Sequence, residues 1–154
     1  MRANNPIWPW VLGLAGLIPF FALIAGALLA PAPYGSVSEG AWSVYAAAIL
    51  SFLGGTRWGA EVVSRPDSPS PLVLIASNVP PLLGWVAVIL NYQQPAASLG
   101  LLAGGFVLQW IWDAASTGRG VRGFPLWYGP LRLVLTAGVL ISAGLLAWVK
   151  FMTG

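Results

Sequence analysis

Five apolar stretches, each close to the length of one bilayer crossing, constrain this chain more than any other feature. They run from Trp8 to Ala30, Gly40 to Val63, Pro71 to Leu90, Ala97 to Ala115 and Trp127 to Phe151. About 20 such residues, rising ~1.5 Å each, cross the hydrocarbon layer. The crossing must be helical, because lipid offers no partner to an unpaired backbone N–H or C=O. The segments between are short and rich in turn formers, from Pro31 to Gly35, Ser64 to Ser70, Asn91 to Pro95 and Thr117 to Gly123. The expected fold class is therefore all-α, a polytopic membrane protein with a bundle of five transmembrane helices. It forms a single domain over residues 1–154, with no extramembrane domain and no internal repeat.

Composition closes off the soluble alternatives. Hydrophobic residues make up 58% of the chain and charged residues only 7%, too few charges to solvate a globular surface. The 13 prolines and 19 glycines lie inside or beside the apolar runs, where membrane helices accept them. There is no cysteine and no histidine, which removes disulfides, thiolate or imidazole metal sites and the commonest general base. No metal site and no cofactor is expected. The net charge of +3 comes from 7 basic and 4 acidic residues, too scattered for a nucleic-acid interface. The Ala30-Pro31-Ala32-Pro33 stretch makes a poor cleavage site, so the first helix is expected to be retained.

The few basic residues set the orientation instead. Arg2 precedes the first helix, Arg65 lies in the second loop, and Arg119 and Arg122 lie in the fourth; the first and third loops hold no Lys or Arg. The positive-inside rule then places the N-terminus in the cytoplasm and the C-terminus in the periplasm of a bacterial inner membrane. Lys150 alone dissents. Trp58, Trp127 and Tyr128 are read as interface anchors, in keeping with the aromatic belts of membrane proteins.

Charges inside the spans are costly and normally face a neighbour. Arg57 and Glu61 in the second helix, Asp113 in the fourth and Arg132 in the fifth fall in the same leaflet. Asn78 and Gln109 lie at similar depth. These six form the candidate polar cluster, either fixing helix register through salt bridges and hydrogen bonds or receiving a ligand. Arg132 is the expected partner of Asp113, and Arg57 the first-choice partner of Glu61. Gly105, Gln109 and Asp113 share one stripe of the fourth helix. Gly54, Gly55, Gly59, Gly100 and Gly104 are expected to let helices approach closely. Pro19 and the Pro80-Pro81 pair are expected to kink the first and third spans.

Three segments carry a resemblance: Leu12 to Phe20, Ile49 to Gly59 with its Ser51-Phe-Leu-Gly-Gly-x-x-Trp-Gly run, and Leu126 to Thr136. Together they resemble an uncharacterised multi-pass family of proteobacteria and mitochondria, known only as a domain of unknown function. The resemblance spans nearly the whole chain. It implies an inner-membrane location and about five helices, and it supplies no catalytic role. Gly54, Gly55, Trp58, Gly59, Asp113, Trp127, Tyr128 and Arg132 match its pattern. Where that family commonly carries a histidine just before the Trp-Gly pair, this chain has Arg57, which stays charged.

The leading functional expectation is a non-catalytic accessory, assembly or structural subunit of a larger respiratory or photosynthetic membrane complex. Its partners would be membrane lipids and other integral-membrane subunits meeting its lipid-facing helices. The competing expectation is a small transporter or lipophilic-ligand binder built on the charged cluster. An intramembrane enzyme would need Glu61 or Asp113 as its acid or base.

Overall fold

The computed structural model describes residues 6–117 and 124–153. Among these the secondary structure is helical: α1 (Ile7–Ala15), α2 (Ile18–Leu29), α3 (Tyr34–Ser64), α4 (Pro71–Ser77), α5 (Val79–Leu90), α6 (Pro95–Ser116) and α7 (Tyr128–Thr153). Five segments are long and apolar enough to cross a membrane: Ile7–Leu29, Tyr34–Ser64, Pro71–Leu90, Pro95–Ser116 and Tyr128–Met152. Two of the five spans are therefore each made of two helices.

Proline explains both breaks. Pro19 has no N–H to offer the carbonyl of Ala15, where α1 ends, and it enters α2 in the first turn, the position that tolerates it. Pro80 and Pro81 withhold the same bond from Ala76 and Ser77, and α4 ends at Ser77. The second span departs from its expected start at Gly40. It begins six residues earlier, at Tyr34, and reaches 31 residues. Hydropathy reads the apolar part of a helix and not its whole length. The extra turns are polar and hold themselves locally, with Ser36 Oγ donating to the Pro33 carbonyl at 2.8 Å and Ser38 Oγ to Tyr34 at 3.0 Å.

The described chain divides into two compact units, residues 1–42 with 110–154 and residues 43–109. In the first unit α1 runs parallel to α7. Gly13 lies against Leu131 and Leu135, and Leu17 against Gly138. Phe20 meets the edge of the Trp42 ring with centroids 5.4 Å apart, and both residues are buried. Lys150 Nζ reaches Glu39 Oε2 at 2.8 Å, joining the end of α7 to the start of α3. This pair absorbs the one basic residue that dissented from the charge asymmetry.

In the second unit Gly84 brings α5 onto the backbone of Ala47, so close that an added Cβ would lie 3.0 Å from the Ala47 Cα. Ser98 Oγ donates to the Ala87 carbonyl at 2.7 Å, and Ser43 Oγ to Asn91 Oδ1 at 3.1 Å. These are interhelical bonds of the kind that hold helices together in lipid.

Candidate functional site

Each long helix buries a stripe that ends in polar residues. On α7 the stripe is Arg132, Thr136, Val139, Ala143 and Leu146, the 3.6-residue period of one helix face. On α6 it is Ser98, Leu102, Phe106, Gln109 and Asp113. Apolar burial accounts for the middle of each stripe. The polar ends need a separate reason, since burying a charge is expensive unless it is paired.

For Asp113 and Arg132 the reason is each other. Arg132 Nε donates to Asp113 Oδ2 at 2.7 Å, with the carboxylate fully buried and the guanidinium group only 5% exposed. The last turn of α6 supports the acid's backbone, where Thr117 Oγ1 donates to the Asp113 carbonyl at 2.9 Å. Gly129, at the start of α7, fits against Thr117, and a Cβ there would lie 3.2 Å from its side chain. The ion pair thus sits where the end of α6 meets the start of α7. It leaves donors unused. Arg132 Nη2 and Thr136 Oγ1, one turn further along, are buried without a hydrogen-bond partner, and so is Trp10 Nε1 on α1.

The remaining candidates are placed differently. Glu61 takes Arg65 as its cationic partner, one turn ahead at 3.6 Å, in place of the first choice Arg57. Its Oε1 also accepts from the Ser70 backbone N–H at 2.7 Å, so this carboxylate closes the α3–α4 turn. Asn78 is exposed, and its Nδ2 donates to the Leu74 carbonyl at 2.8 Å. It finishes α4 and contributes nothing to a buried cluster. The neighbouring Ser77 is the buried residue. Arg57 and Gln109 are buried, at 6% and 2% exposure. Arg2, Arg119 and Arg122 lie outside the described residues.

Four of the five packing glycines also need correction. Only Gly54 is in close approach: a Cβ there would collide with the Ser77 carbonyl oxygen and stand 2.8 Å from Pro81 Cδ. Gly55, Gly59, Gly100 and Gly104 are exposed, with nothing within 4 Å of a Cβ. Gly105, which faces Leu50 at 2.8 Å, does for α6 what Gly100 and Gly104 were expected to do. One residue is a 100° turn of the helix, and the spacing of glycines alone does not say which way they face. Trp58 is 44% exposed, as an interface anchor can be. Tyr128 stacks on Phe124 at 4.2 Å and meets Trp127 edge-on at 6.0 Å.

Thr136 and Glu39 were not singled out from the sequence. A signal existed for both: Thr136 follows Arg132 by four residues, and Glu39 is the acidic residue near the start of α3 that alternating spans bring level with Lys150. Among the described residues no three His, Cys, Asp or Glu side chains converge to hold a metal ion.

The family model described as "Protein of unknown function (DUF3429)" matches residues 5–148. The chain belongs to that family. It is 33% identical over 138 residues to Transmembrane protein 69 of Xenopus tropicalis, covering 85% of this chain and 50% of that protein. It is 32% identical over 131 residues to Transmembrane protein 69 of Mus musculus, covering 84% and 51%. The chain spans about half the length of these curated relatives. No solved structure matches it. This DUF3429 protein is an integral membrane protein with multiple spanning helices.

Proposed function

We propose that this protein is a non-catalytic accessory subunit of a larger complex, respiratory or photosynthetic, in a bacterial inner membrane. It joins its partners through lipid-facing helices, with its N-terminus in the cytoplasm. The observation that carries this reading is the outward placement of two glycine pairs, Gly55 with Gly59 and Gly100 with Gly104. A glycine inside a helix costs roughly 0.5–1 kcal/mol relative to alanine. These four recover nothing from packing among the described residues. Four-residue spacing on an exposed face is the geometry by which a membrane helix from another chain approaches closely.

The test is migration in mildly solubilised native membranes. The protein should run with an assembly far larger than its own 16.2 kDa, and its deletion should lower that assembly's abundance more than its specific activity. Gly55→Ile with Gly59→Ile, or Gly100→Ile with Gly104→Ile, should release the protein while its own melting temperature stays near that of the parent. Migration as a free monomer, or full retention of both double variants, would overturn the reading. A second reading, a binder of a lipophilic ligand, is favoured by one specific observation, the unpartnered donors beside Asp113 and Arg132.

A further inference from the structure

We propose that the Asp113–Arg132 pair belongs to a binding site for a neutral lipophilic molecule that presents a carbonyl oxygen. That oxygen is received by Arg132 Nη2, Thr136 Oγ1 and Trp10 Nε1. The proposal goes beyond the accessory reading and does not depend on it.

Four polar atoms of one compact unit are buried and have no hydrogen-bond partner: Arg132 Nη2, Thr136 Oγ1, Trp10 Nε1 and Trp42 Nε1. Arg132 is 4% exposed and Thr136 is 3% exposed. They are one turn apart on the inward stripe of α7, about 6 and 12 Å along the axis from its first residue. Trp10, a further unpartnered donor, is on α1. It precedes Gly13 by one turn on α1, and Gly13 lies against Leu131 and Leu135. A buried donor without an acceptor is destabilising, and more so in lipid, where no solvent relieves it. An arginine guanidinium and an indole N–H only donate, and a threonine hydroxyl donates readily. The missing partner is therefore an acceptor.

Charge decides what kind. Asp113 already balances Arg132 through the 2.7 Å contact. A phosphate or carboxylate added here would bring a second negative charge beside Asp113, which the membrane interior penalises heavily. A carbonyl oxygen accepts the same hydrogen bonds and adds no charge. At this depth it must arrive on an apolar molecule. A quinone ring and the acyl ester of a membrane lipid both supply it.

The experiment follows the melting temperature of the purified full chain in a carbonyl-free alkyl glycoside detergent. One arm titrates decylubiquinone against its hydroquinone, which has lost the ring carbonyls. The other titrates diester phosphatidylcholine against the diether lipid. A saturable rise of a few degrees with one carbonyl-bearing probe, absent with its carbonyl-free counterpart, is expected and identifies the source. Thr136→Val and Trp10→Phe each remove one donor and no charge, and each should reduce the rise by half or more. If either variant melts too early to titrate, the other carries the comparison. No rise in the parent protein with either carbonyl probe overturns the proposal, as does an equal rise with the carbonyl-free molecules or an undiminished rise in both variants.

Discussion

A methyl group added to Gly54 has no room to enter. Its nearest neighbours are the carbonyl oxygen of Ser77 and the rings of Pro80 and Pro81, none of them the loose end of a flexible side chain. The Ser77 carbonyl is available there because Pro81, four residues on, has no N–H to bond it. Gly54→Ala is expected to destabilise by about 1–3 kcal/mol, the usual cost of overpacking. Gly55→Ala, into open space, should be neutral or stabilising by up to roughly 1 kcal/mol through helix propensity. Thermal melting in detergent of the two single variants is the measurement, and equal effects would refute the packing argument. At Asp113 and Arg132 the reasoning is electrostatic. Removing either partner takes from a buried charge the counter-ion it holds at 2.7 Å, at a cost of about 3–5 kcal/mol, whereas replacing both with leucine should cost far less. Additive losses for Asp113→Leu and Arg132→Leu in a double-mutant cycle would show that the two do not act as a pair.

At the scale of elements, each broken span is set by the prolines that follow the break, and the α4–α5 break is the testable one. Restoring N–H groups with Pro80→Ala and Pro81→Ala should let the helix run on from Ser77 and draw its carbonyl away from Gly54. Spin labels on cysteines at Leu72 and Ile89, both exposed, would then separate toward the ~25 Å that 17 residues of straight helix span. An unchanged distance would mean that neighbours, not proline, hold the bend. The pair joining the end of α7 to α3 is a weaker tie. Lys150 and Glu39 are 26% and 20% exposed, and Lys150→Ala should cost no more than about 1 kcal/mol.

For the whole molecule, the orientation in the membrane rests on Arg2, Arg65, Arg119 and Arg122. The chain has no cysteine of its own, so single cysteines report sidedness directly. Ser36 is exposed in the first turn of α3, beside the first connection, and Gln93 and Ser68 are exposed in the third and second connections. Changed to cysteine, Ser36 and Gln93 should react with an impermeant thiol reagent in intact bacteria, and Ser68 should not. The reverse pattern would invert the topology and place the Asp113–Arg132 pair in the opposite leaflet.

Hydropathy determined the number and approximate position of the spans, because lipid tolerates only segments that satisfy their own backbone. The α6 boundaries, Pro95–Ser116, differ from the expected 97–115 by no more than two residues. The partnership of Arg132 with Asp113 was also legible, since two opposite charges at similar depth have few other ways to be stable. What the sequence left open was rotation about each helix axis. Gly54 and Gly55 differ by 100°, yet one meets the Ser77 carbonyl and the other meets nothing. Glu61 was expected to meet Arg57 first, and the fold gave it Arg65 together with the Ser70 N–H. The polar serine-rich turns that begin α3 have local hydrogen bonds and no apolar signal, so hydropathy starts the span at Gly40 instead of Tyr34. The unpartnered donors of Thr136 and Trp10 emerged only in the packed structure, where α1 runs along α7 with Gly13 against Leu131 and Leu135. Such juxtapositions depend on distances between segments more than a hundred residues apart, which only the packed helices fix.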